Sequence, residues 1–174
     1  MSLRNNITRS SMLGVLFMFA ASGQGVTAEE VPITGNVSAK CSIFTDVSGV
    51  YGQPTPNKLS TAVADGGVQP IIRYDVASAD YYTAKITYPT AFSSSPNLSD
   101  TVTWTGDVEV SATSDTGMAG YEAAKVQYDA TTEYDLTVAG TTWFKVSSEA
   151  TYGYDKSYPA GEYTALVEAL CVAN

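Results

Sequence analysis

Apolar and polar residues alternate along most of this chain, and no long stretch has the three-to-four-residue spacing of a helix face. In "VTWTGDVEVSA", residues 102–112, Val102, Trp104 and Val108 fall on one face, whereas Thr103 and Glu109 fall on the other. A period of two is typical of a half-buried β-strand. The same alternation recurs along the chain and predicts about eight strands, at 33–44, 68–76, 81–88, 101–113, 121–128, 133–139, 142–150 and 160–173.

The segments between these strands carry frequent turn residues, and the pattern as a whole predicts an all-β antiparallel sandwich. The short connection "AGTT", residues 139–142, predicts a tight hairpin between the two strands that flank it. The segment "AGYEAAKVQYD", residues 119–129, fits a helical turn and a strand about equally well. The stretch 51–67 contains two prolines and is predicted to be a long loop.

The N-terminus predicts export. Arg4 and Arg9 precede the apolar run "MLGVLFMFAA", residues 12–21, and small or aliphatic residues lead to a predicted cleavage after Ala28. This is the pattern of a secretory signal peptide, so we expect residues 1–28 to be removed and residues 29–174 to form one domain. The alternative is a short N-terminal anchor, but the run falls well short of the roughly 20 residues that cross a bilayer.

The charge of the predicted mature chain excludes several partners. All 18 acidic residues lie in it against seven basic ones, which gives a formal charge of −11. Such a surface repels phosphate backbones and anionic lipid, so we expect neither nucleic-acid binding nor membrane insertion.

The two cysteines, Cys41 and Cys171, are expected to pair. In an oxidising compartment an even number of cysteines favours a disulfide, here between the first and last predicted strands. Two free buried thiols and an intermolecular bond are the alternatives.

The sequence contains no histidine, which removes the commonest general base and the commonest zinc ligand. We therefore expect no catalytic residues, no metal site and no cofactor. Acidic residues two apart on one strand could in principle cleave glycosides, but alternation assigns them to a solvated face. They are Asp107 with Glu109 and Glu133 with Asp135. Acidic loops have no calcium-loop spacing, and the twelve tyrosines suit half-exposed strands better than a sugar-binding groove.

The two ends of the chain resemble bacterial chaperone–usher pilins. The last strand opens at Gly161, fourteenth from the C-terminus, in "AGEYTALV", and the first strand carries "ITGNVSAKCSIF". From Gly161 onward one face of the last strand carries alternating residues: Tyr163, Ala165, Val167, Ala169, Cys171 and Ala173. In the family, a periplasmic chaperone binds this face of the last strand.

The resemblance implies an immunoglobulin-like sandwich that lacks one strand and receives it from a neighbour's N-terminal extension. It also implies a structural or adhesive subunit of a cell-surface fimbrium. Its partners would be a periplasmic chaperone, an usher, other pilus subunits and a host or surface receptor. The alternative is a self-contained secreted or periplasmic sandwich that binds a glycan or a protein, and an enzyme is a more distant third.

A cysteine on the last strand restricts this geometry. Two strands that flank an empty position lie roughly 9–10 Å apart, whereas a disulfide needs Cα atoms within about 7 Å. The first and last strands must therefore be adjacent, or the bond must lie beyond the end of the groove. The extension Glu29 to Thr34 is short for a donor strand.

Overall fold

The computed structural model describes residues 32–35 and 40–174. Strands dominate, together with one helical turn, α1 (Tyr121–Ala124), and two short 3-10 turns at 63–65 and 116–118. The strands are β1 (Cys41–Val47), β2 (Gly52–Thr55), β3 (Lys58–Ser60), β4 (Ile71–Val76), β5 (Tyr82–Thr87), β6 (Phe92–Ser94), β7 (Val102–Thr113), β8 (Val126–Tyr128), β9 (Thr131–Leu136), β10 (Gly140–Tyr152), β11 (Thr164–Ala165) and β12 (Glu168–Ala173).

The strands form two main antiparallel sheets. In the first, the order is β1-β4-β10-β3-β2, and β7 pairs with the other side of β10 along almost its whole length. In the second, the order is β12-β5-β9-β8. A two-stranded ribbon of β6 and β11 lies outside both sheets. The predicted all-β antiparallel sandwich is confirmed.

The core lies between the two sheets and is built by the alternation that the sequence shows. On β10 every second residue from Thr142 to Tyr152 is buried. The largest fully buried side chains come from both sheets and include Tyr74, Tyr134, Phe144 and Ile86. Burying such side chains contributes about 1.5–3 kcal/mol each, which explains why one face of each strand is apolar.

The predicted hairpin at 139–142 is wrong. β9 pairs with β5 in the second sheet, where Leu136 lies opposite Tyr82, whereas β10 starts in the first sheet, where Gly140 lies opposite Val76. Residues 137–139 therefore cross from one sheet to the other. Alternation fixes which face of a strand is buried, but it carries no information about which sheet the next strand joins.

Three other predicted segments differ from the structure. The predicted loop 51–67 contains the hairpin β2–β3. Pro54 is tolerated there because β2 is an edge strand, where a missing N–H costs no ladder hydrogen bond. Segment 119–129 contains both predicted alternatives, α1 followed by β8. The last strand is divided into β11 and β12.

The first strand begins later than predicted. Residues 32–35 have no secondary structure and are exposed, and β1 starts at Cys41. Residues 36–39 lie outside the described residues, as does the predicted signal peptide. Within the part of the chain that the structure describes, no helix is long and apolar enough to cross a membrane.

Candidate functional site: a groove between the first and last strands

A groove of about 1000 Å³ runs between the edges of the two sheets. One wall comes from β1, through Ile43 and Thr45, and the other from the C-terminal segment between Gly161 and Ala169. Ile72 and Leu59, which are almost fully buried, line it as well. Its volume reaches the upper end of the range found for small-molecule pockets, about 300–1,000 Å³.

The β1 wall is a free strand edge, and the C-terminal wall runs through β11 to the start of β12, which also has a free edge. β1 pairs with β4 alone and β12 pairs with β5 alone, and no backbone pairing joins β1 to β12 among the described residues. Each strand therefore has one side on which its N–H and C=O groups have no ladder partner. Such an edge is a template for another strand.

The disulfide lies at one end of this groove. Cys41 on β1 and Cys171 on β12 are bonded, with their Cα atoms 6.4 Å apart, so the predicted pairing is confirmed. Two residues further along each strand, Ile43 and Ala169 already line the groove. The bond thus lies beyond the end of the groove, and the first and last strands also approach each other there.

The structure brings most of the predicted last-strand residues to the groove. Gly161, Tyr163, Ala165, Val167 and Ala169 all line it. Ala173 does not line the groove. It is exposed near the end of β12, where it pairs with Tyr82. The inward and outward residues alternate from Tyr163 to Cys171, as the period of two predicts.

The end of the groove farther from the disulfide is aromatic. Tyr158 and Tyr163 meet edge to face with ring centroids 5.0 Å apart. The Tyr163 hydroxyl donates to the Pro159 carbonyl at 2.7 Å, and the hydroxyls of Tyr51 and Ser148 lie 3.0 Å apart. These contacts hold the rings in place and leave their carbon faces to line the cavity.

None of the described residues that line the groove is charged. Burial raises the pKa of Tyr51, although its hydrogen bond to Ser148 partly opposes this shift, and burial also raises the pKa of Tyr158 and Tyr163. Since a tyrosine normally titrates near 10, all three stay neutral at physiological pH. In so acidic a chain, a large uncharged groove favours an uncharged occupant.

The β1 wall is fixed by a contact that the sequence pattern did not predict. The β1–β4 register shifts between Thr45 and Val47, which makes Asp46 an extra residue on β1. Its carboxylate accepts a hydrogen bond from Trp143 Nε1 at 2.7 Å and from Arg73 Nη1 at 3.3 Å. Arg73 also stacks over the Phe44 ring at 4.5 Å. This network ties β1 across β4 to β10.

The sequence analysis also missed Ile43, Thr45, Ile72 and Tyr51 as groove residues. Ile43 and Thr45 follow Cys41 at the spacing of two that puts them on its face, so that signal was present in the sequence. Ile72 and Tyr51 reach the groove only through tertiary packing.

The acidic pairs considered in the sequence are engaged in surface contacts. Lys125 contacts Asp107 at 3.3 Å, Lys145 contacts Glu109 at 3.1 Å, and Glu133 pairs with Lys85. Hydrogen bonds from Lys85 and then Tyr128 lower the pKa of Glu133. No group of three or more acidic, cysteine or histidine side chains within 32–35 and 40–174 is arranged to hold a metal ion.

The chain matches no protein-family model, no curated protein and no solved structure.

Proposed function

We propose that this protein is an exported, non-catalytic subunit of a bacterial chaperone–usher fimbrium, with a structural or adhesive role. The observation that carries the proposal is the uncharged groove between the free edge of β1 and the C-terminal segment that leads into β12, a second strand with a free edge. In this reading the domain is an immunoglobulin-like sandwich with one strand position left empty. A strand added there pairs its backbone with the exposed edges and buries its apolar face in the groove.

The proposed occupant is the segment before β1 of a neighbouring copy. Because β1 starts at Cys41, twelve residues separate the predicted cleavage site from it, twice the extension that the sequence pattern predicted. Within them Val31, Ile33, Gly35, Val37 and Ala39 alternate with mostly polar residues. Ile33 is 99% exposed in the structure, so its side chain is available for burial in a partner.

The periods of segment and groove wall agree. The wall from Tyr163 to Ala169 offers four half-buried positions at a spacing of two, and the segment 31–39 offers five alternating residues, of which four can fill them. Nine extended residues span about 26 Å. Each fully buried valine or isoleucine would contribute about 1.5–3 kcal/mol.

Such a contact joins two different surfaces of the same protein, so it does not close on itself and gives an open filament. The free edges also give a reason for a chaperone, because an unfilled groove exposes unpaired backbone and apolar side chains that promote aggregation. A periplasmic chaperone and an usher are therefore proposed as partners during export to the cell surface, and a surface receptor as the ligand of an adhesive subunit.

Electron microscopy of cells that make a labelled protein tests this proposal. We expect label along surface filaments for the wild type and its loss for Val167→Asp, which puts a charge into the groove wall. Val172→Asp is the matched control, since Val172 lies five residues further on, in β12, with its side chain exposed. Label found only on soluble monomer in wild-type cells would exclude the fimbrial role and leave the self-contained secreted binding module.

A further inference from the structure

We propose that the Cys41–Cys171 disulfide closes one end of the groove and acts as a stop that sets the register of the inserted strand. This inference rests on the proposed function, because it assumes that the groove receives a strand. It assigns a role to the disulfide beyond stability, namely control of how far along β1 and β12 the added strand can pair.

The distance across the disulfide carries the argument. A strand between two others needs its neighbours about two spacings apart, roughly 9–10 Å. At the disulfide the Cα atoms are 6.4 Å apart, which leaves no room for a strand between β1 and β12. The covalent bond prevents this gap from widening.

The groove begins directly after this point. Ile43 and Ala169, each two residues from a bonded cysteine, line it, and Thr45 and Val167 follow four residues away. At the other end the lining residues Gln53, Ala160 and Gly161 are exposed and belong to an edge strand and a loop. The groove is therefore covalently closed at one end only.

A one-ended groove removes an ambiguity of strand pairing. A strand with a regular period of two can slip by two residues and keep its apolar face inward, so alternation alone does not fix the register. The segment 31–39 has this regularity. A fixed stop excludes the slipped registers that extend past Cys41 and Cys171, and it thereby sets the limit of strand pairing at this end of the groove.

Residue-resolved hydrogen exchange on the oxidised mature chain, residues 29–174, with Ile33→Asp tests the stop, because this substitution disables the chain's own inserting segment and leaves the groove empty. The probes are a nine-residue peptide of segment 31–39 and a long peptide that adds four alternating Thr and Val residues at each end. We expect both peptides to protect free-edge amides of β1 and of the C-terminal wall up to Ile43 and Ala169. The long peptide should add no protection at or beyond Cys41 and Cys171. Protection that extends past the disulfide would overturn the proposal.

The double substitution Cys41→Ser/Cys171→Ser in the same Ile33→Asp chain supplies the matched comparison. Without the bond, the long peptide should bind at least tenfold more tightly than the short one and protect amides beyond Ala169, whereas the disulfide-bonded chain should bind both within about twofold. An unchanged stop in a folded double variant would also overturn the proposal. If neither peptide protects any groove amide, the proposed function itself fails, and the register stop fails with it.

Discussion

The Tyr74 hydroxyl on β4 donates a hydrogen bond of 3.1 Å to the Leu170 carbonyl on β12. Tyr74 is fully buried, and its ring packs edge to face on Phe144 at 5.4 Å. The contact joins the first sheet to the strand that forms the other groove wall. One buried side chain therefore links the first sheet to the second at the residue next to Cys171.

Tyr74→Phe should lower the free energy of unfolding by about 1–3 kcal/mol, because the Leu170 carbonyl loses a buried donor. Urea denaturation measures this change. Tyr81→Phe is the control, since Tyr81 is 45% exposed, and it should shift the unfolding free energy by less than about 0.5 kcal/mol. Equal stability of the two variants would show that the cross-sheet hydrogen bond contributes nothing.

Cys41→Ser/Cys171→Ser should destabilise the domain by up to roughly 5 kcal/mol, because the bond closes a loop across a sequence separation of 130 residues. Denaturation of the wild type with and without reductant should give a similar difference. Mass spectrometry should find the native chain 2 Da lighter than the reduced one, as a disulfide requires. Two alkylatable thiols in native protein would contradict this account.

Asp46→Ala should loosen the β1 wall, because it removes the acceptor shared by Trp143 and Arg73. We expect a loss of about 1 kcal/mol in stability, since the carboxylate is partly exposed, and a shift in tryptophan fluorescence. Glu109→Gln, which removes only a surface ion pair with Lys145, should change neither. Identical behaviour of the two variants would show that Asp46 does not hold β1.

The affinity of the 31–39 peptide for the groove of the Ile33→Asp chain should be nearly constant between pH 5 and pH 9 and depend little on salt. The described groove residues carry no charge, and burial raises the pKa of Tyr51 and Tyr163 above the ordinary value near 10. A raised pKa keeps these tyrosines neutral at any pH below about 10. We therefore expect peptide binding to weaken only when the pH rises above about 10. Calorimetry across this range checks the prediction, and a tenfold change between pH 5 and pH 9 would contradict it.

The sequence predicted the features that depend on period and on cysteine number. The sandwich, the inward face of Val167 and Ala169 and the Cys41–Cys171 bond follow from alternation and from two cysteines in a chain predicted to be exported. Features that depend on which strands meet were not predictable in this way. Residues 137–139 change sheets without any break in alternation, and Asp46 acts through a register shift between β1 and β4.

The groove, too, was predictable from the sequence only in part. Its last-strand wall follows from the sequence, whereas Tyr51 and Ile72 join it only because distant segments pack together. The fimbrial role and its partners stay predictions.

The measurement that tests the central claim most directly is the assembly state of two complementary variants, followed by light scattering after size-exclusion chromatography. Ile33→Asp disables the inserting segment and keeps the groove, whereas Val167→Asp disables the groove and keeps the segment. Circular dichroism first checks that each variant is folded. The account predicts open-ended oligomers for the wild-type mature chain, monomers for each variant alone and a one-to-one dimer when the two are refolded together. A monomeric wild type, or folded variants that form no dimer on mixing, would contradict it.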